Sequence, residues 1–177
     1  MTEKRTRHVD PTSVPHALWH GTSVVAAAMI LRENRMIHAQ FEGPPGISLS
    51  SDIEVALDFG ARGDERVAED ELGLEVMNRG GVVLCFDGKA LAAQHPFTRH
   101  FYDRDEEAEW RLLADQITGI RRFLTGIFAD ADDLAWWKER LPDHTDAIDA
   151  LAEMITACRD KAISFDPSKL PRMQTSG

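Results

Sequence analysis

Leu18-Trp19-His20-Gly21-Thr22-Ser23 decides how this chain is read. Leu18 to His20 has the character of a short strand that breaks at Gly21. Thr22 or Ser23 stands where an N-cap belongs, ahead of an apolar helix predicted over 24–32 whose pattern turns polar at Arg32-Glu33-Asn34. A strand, a tight turn and a helix therefore follow one another without a linker. Past Gly43-Pro44-Pro45-Gly46, Ile47-Ser48-Leu49 alternates as a strand does. Ser51-Asp52-Ile53-Glu54 is a capping-box pattern that starts a helix at Ser51, predicted to reach about Phe59.

Further along, 61–81 is rich in Asp, Glu, Arg and Gly without a sustained period, which predicts a mobile surface excursion with one helical turn near 72–77. The all-apolar run 82–86, between Gly-Gly and Asp-Gly, reads as a central buried strand. A loop over 95–105 leads to Glu109-Trp110-Arg111-Leu112-Leu113, where period-2 alternation sets Trp110 and Leu112 on one face and Glu109 and Arg111 on the other. A strand over 120–128, helices over 132–141 and 145–159 and a last strand at 162–165 complete the pattern. Upstream, residues 1–16 are charged and interrupted by Pro11 and Pro15, and are expected to be an arm rather than a packed element. Residues 17–166 are read as one domain and 167–177 as a loose tail.

The chain has 177 residues, 43% of them hydrophobic, which suits a single core. Its formal net charge of −10 argues against a general nucleic-acid coat and leaves room only for a local site. Cys85 and Cys158 show no CxxC or Cys/His ligand spacing, so both are expected as buried thiols in a reducing cytosol. The basic N-terminus lacks the apolar segment of a secretory signal, and no stretch has the length of a membrane span. A soluble, cytoplasmic protein with no membrane partner is expected. The seven histidines form no HxH or HExxH set, so no metal is expected.

Taken singly, His20 reads as a satisfied histidine, and Glu109 as the end of an acidic run, Glu106-Glu107-Ala108-Glu109, that faces water. Order changes this. LWHGTS, then GISLSSDIEVALDFG, then EEAEWRLL together resemble the ADP-ribosyltransferase superfamily, in particular the diphtheria-toxin and poly(ADP-ribose)-polymerase branch whose site is written His-Tyr-Glu. The resemblance implies an α+β fold with a split β-sheet core flanked by helices, and NAD as co-substrate. It also implies transfer of ADP-ribose to a protein or nucleic-acid acceptor. His20 would bond the adenosine-side ribose, the Gly21 backbone would hold the nicotinamide amide, and Thr22 completes the motif.

The family's second block sets two aromatic rings around the nicotinamide. Here Ser48 stands in the first ring's position and Phe59 in the second, while Ser48-Leu49-Ser50 also resembles the Ser-Thr-Ser strand of the Arg-Ser-Glu branch. Glu109 matches the catalytic glutamate, and Glu107 the first acid of a Glu-x-Glu pair. Phe101 and Tyr102 match the tip of the acceptor-recognition loop. Breaking the nicotinamide glycosidic bond develops positive charge on the ribose, so a carboxylate must face it. Glu109 suits that role, and Glu107 would orient or deprotonate the incoming nucleophile.

Three other readings compete. An RNA 2′-phosphotransferase-like enzyme would use the same architecture and NAD but needs several Arg and His around a phosphate, and the sequence around Ser48–Phe59 offers none. A non-catalytic NAD- or ADP-ribose-binding module would explain Ser48. A small hydrolase using His20 and Glu109 as an acid/base pair lacks any nucleophile motif such as GxSxG.

Overall fold

The computed structural model describes residues 5–38, 46–75, 80–101 and 109–160. The first half of the chain forms β1 (Arg5–His8), β2 (Ala17–Thr22), α1 (Val24–Glu33), β3 (Arg35–Ile37), β4 (Ile47–Ser50) and α2 (Ile53–Leu72). The second forms β5 (Val82–Asp87), α3 (Gly88–Ala92), β6 (Phe97–Phe101), β7 (Glu109–Leu112), β8 (Gln116–Thr118), β9 (Leu124–Ala129), α4 (Ala131–Arg140) and α5 (Thr145–Asp160). Seven strands make one sheet in the order β1-β6-β7-β4-β2-β5-β9, antiparallel at every pairing, and β3 with β8 makes a separate two-stranded ribbon. The architecture is thus a mixed one of helices on an antiparallel sheet. No helix among the described residues is long and apolar enough to cross a membrane.

Strand alternation sorts the two faces of the sheet. Leu18, Leu84, Phe86 and Ile127 are buried in one cluster with Leu31 of α1 and with Ile148 and Leu151 of α5. The opposite face carries Gly21, and α2 crosses it there. A Cβ on Gly21 would lie 1.6 Å from the Ala56 carbonyl oxygen, so only glycine lets the helix and strand backbones touch.

The helix α2 is pinned by a buried acid. Asp64 is 0% exposed; its Oδ1 accepts from the Val24 N–H at 2.8 Å, and its Oδ2 accepts from the Gly81 N–H and Trp137 Nε1, each at 3.0 Å. Asp133, also buried, accepts from the same Gly81 N–H at 3.2 Å. Gly81 sits at φ 62°, in the left-handed region open to glycine, and turns the chain into β5 at this point. Burial first, and the neighbouring Asp133 next, push the Asp64 carboxyl up to about 7, so the pair holds a proton between its two acids near neutrality. One polar knot therefore joins α1, α2, the entry to β5 and α4.

Several expectations are corrected. Residues 5–8 are an edge strand paired with β6, and Val14 is buried in the core, so the N-terminal segment is not an unpacked arm. The excursion expected over 61–81 is helical as far as Leu72, with Gly73 closing it in the left-handed conformation. Its buried positions are Ala56, Gly60, Asp64 and Ala68, a four-residue repeat of small residues and one acid in place of large apolar side chains. Asp52, not Ser51, caps this helix, its carboxylate accepting from the Glu54 N–H at 2.9 Å. β2 continues through Gly21 to Thr22, and the loop expected over 95–105 contains β6. The strand expected over 120–128 is a 3-10 turn at Ile120–Phe123 followed by β9. Cys85 and Cys158 are half-buried rather than buried. The strand expected at 162–165 and the tail after 167 lie outside the described residues.

Candidate active site

β2 and β4 pair at a single position, Trp19 with Ser50, whereas β2 and β5 pair along the whole of β2. Past that one pair the two strands part, and a cleft of ≈ 820 Å³ fills the opening. Ala26, Met29 and Ile30 of α1 line one side, and Phe59, Arg62 and Arg66 of α2 line the other. β4 and β7 supply Ser48, Glu109 and Arg111.

His20 bridges the parting strands: its Nδ1 lies 2.9 Å from the Ser48 carbonyl oxygen. A carbonyl can only accept, so Nδ1 carries the proton and donates. Desolvation lowers the His20 pKa, and the Ser48 hydrogen bond only partly opposes it, so the ring is neutral at pH 7 with Nε2 as an acceptor. A ribose hydroxyl is a donor suited to that nitrogen.

Glu109 pairs with Ser50 across β4–β7, and Arg111 pairs with Ser48, so all four side chains share the face opposite Trp110 and Leu112. The Ser48 hydroxyl donates a short hydrogen bond to Glu109 Oε1. Arg111 donates to the same oxygen from Nη2 at 2.9 Å and from Nε at 3.2 Å. Both members of this ion pair are largely shielded, with side-chain exposures of 15% and 14%, so the carboxylate is oriented and only partly hydrated. That is the arrangement a developing cation requires.

His20, Gly21, Thr22, Ser48, Ser50, Phe59 and Glu109 all line this one cleft, although they come from three separated blocks of sequence. Their roles divide on closer inspection. Ser50 is buried, and its Oγ accepts from the Asp52 N–H at 2.9 Å, so it shapes the turn into α2. Phe59 leaves 48% of its surface exposed, with the Arg62 guanidinium 5.8 Å from the centre of its ring. Phe101 ends β6, while Tyr102 and Glu107 lie outside the described residues. The sequence reading missed Arg62, Arg66 and Arg111. For Arg111 the signal was present, since two residues from Glu109 on a strand is the same face. The arginines found wanting around Ser48–Phe59 reach the cleft from the later turns of α2 and from β7.

Comparison with protein-family models, with curated proteins and with solved structures finds no match to this chain.

Proposed function

We propose that the chain is an NAD-dependent mono-ADP-ribosyltransferase with the split-sheet architecture of that superfamily, working in the cleft between β2 and β4. The single observation that supports this most is the convergence of His20, Phe59 and Glu109 on that cleft. A neutral histidine acceptor, an exposed ring and a shielded carboxylate are the three groups a nicotinamide dinucleotide asks of a site. The cleft volume of ≈ 820 Å³ lies within the range of sites that enclose small ligands, about 300–1,000 Å³.

NAD, when bound, supplies an activated glycosidic bond whose cleavage leaves positive charge on the ribose. Glu109 faces that charge, and Arg111 and Ser48 fix the carboxylate before the reaction begins, so no reorganisation is needed at the barrier. Phe59 stacks the nicotinamide from one side. Ser48, in place of a second ring, gives up stacking and contributes a hydrogen bond to the catalytic carboxylate instead. His20 Nε2 accepts from a ribose hydroxyl, and the acceptor is a protein or a nucleic acid.

A phosphotransferase-like reaction on the same scaffold is the second reading, favoured by the arginines on the cleft walls. Both readings are tested by nicotinamide release from labelled NAD, comparing the wild type with Glu109→Gln. The expected loss is about 100- to 1000-fold, the scale of one preorganised electrostatic contact. Equal, background-level release from both proteins sinks the enzymatic reading. Release that appears only when a 2′-phosphorylated RNA is added decides for the second reading.

A further inference from the structure

We propose that Arg62 and Arg66 form a subsite for the phosphate groups of a nucleotide ligand, an inference that rests on the reading of the cleft as a dinucleotide site. Phe59, Arg62, Gly63 and Arg66 all line the cleft and recur at i, i+3, i+4 and i+7, which puts them on one stripe of α2. With a rise of 1.5 Å per residue, Arg62 lies roughly 4.5 Å and Arg66 roughly 10 Å beyond Phe59 along the helix. The Arg62 guanidinium sits 5.8 Å from the centre of the Phe59 ring, so ring and first cation are already adjacent. A flat base on Phe59 therefore directs the next part of its ligand past two guanidinium groups. Ala26, Met29 and Ile30 of α1 also line the cleft, ahead of Glu33 on the same helix, and offer apolar surface to a second base.

The arginines have partners that phosphate can displace. Arg62 contacts Asp58 at 2.6 Å and Arg66 contacts Asp70 at 3.6 Å, each one turn away on the same helix, with all four side chains more than half exposed. Exposed pairs of this kind hold weakly, whereas a phosphate offers the planar fork two charge-assisted hydrogen bonds. A chain of net charge −10 repels anions in general, so cations placed inside the cleft are what admit a phosphorylated ligand to it.

Titration calorimetry on the full chain tests this, comparing the wild type with Arg62→Gln/Arg66→Gln against NAD, ADP and the phosphate-free nicotinamide riboside. The expected result is an affinity loss of about tenfold or more for NAD and ADP in the double variant, with less than about a twofold change for nicotinamide riboside. Equal NAD affinity in both proteins overturns the phosphate subsite and leaves the dinucleotide reading standing. Equal losses for NAD and nicotinamide riboside also overturn the subsite. Arginine-dependent binding of ADP without binding of NAD overturns the dinucleotide reading and keeps the subsite, and no binding of any of the three by the wild type overturns both. Because the two arginines are exposed, the double variant is expected to melt with the wild type. Arg62→Lys/Arg66→Lys, which keeps the charge and loses the fork, is expected to recover part of the affinity.

Discussion

Ser48 and Arg111 both hold Glu109 from its own sheet, and each can be removed without touching the carboxylate. Ser48→Ala deletes the hydroxyl that donates to Oε1 and leaves Arg111 in place. A hydrogen bond to a charged group contributes about 1.5–3 kcal/mol. If that contact orients the carboxylate for the transition state, kcat for nicotinamide release falls about tenfold or more while KM stays near the wild-type value. A kcat unchanged in Ser48→Ala would show that the hydroxyl merely fills space. At this scale the sequence was partly legible. His20 and Glu109 were singled out by the order of the motifs that the chain resembles, and both line the cleft. The work done by Ser48 was not, because a motif reports which residue is missing and not what the substitute touches. That required knowing that Ser48 and Arg111 are cross-strand partners.

Among the elements, α2 brings Phe59, Arg62 and Arg66 to the cleft, and its anchor is acidic. Asp64 titrates at about 7 in the folded protein against 3.8 for an ordinary aspartate. Between those values the native state keeps a proton that the unfolded chain has released, so stability falls as pH rises. The contribution is fully present below 3.8 and lost as pH passes through about 7. Its slope is up to about 1.4 kcal/mol per pH unit. Asp133→Asn keeps the three donors to Asp64 while removing the second negative charge. The stability of this variant relative to wild type, measured by urea unfolding, is expected to rise steadily from pH 4 to pH 7. A difference that stays constant over that range contradicts the shared-proton account.

The same anchor explains why α2 was misread beyond Phe59. Its buried stripe is built from Ala, Gly and Asp, so a helical period is present but no large apolar side chain marks the face turned to the core. By contrast α4 and α5, which bury Leu134, Trp137, Ile148 and Leu151, were legible within a residue or two.

Across the whole molecule, the decisive feature is the single pairing between β2 and β4 in a sheet otherwise joined along its length. Such a gap has no local sequence signature. It depends on how far α1 and α2 hold the two strands apart, and α2 is set by the backbone contact at Gly21 and the knot at Asp64. The sequence reading therefore reached β2, β4, β5, β7 and part of β9 and seven residues that line the cleft, while β1, β3, β6, β8 and the cleft itself emerged only from the assembled fold. It also gave no hint that the N-terminal residues close the sheet edge against β6, because Pro11 and Pro15 mask a short strand beside them. We propose that this opening holds a nicotinamide dinucleotide, and a crystal structure of the Glu109→Gln protein soaked with NAD is the sharpest test. Expected are the nicotinamide ring against Phe59, the reacting ribose carbon about 3.5 Å from the side chain at position 109 and a ribose hydroxyl on His20. Dinucleotide bound elsewhere on the surface, or a cleft that stays empty at saturating NAD, would contradict it.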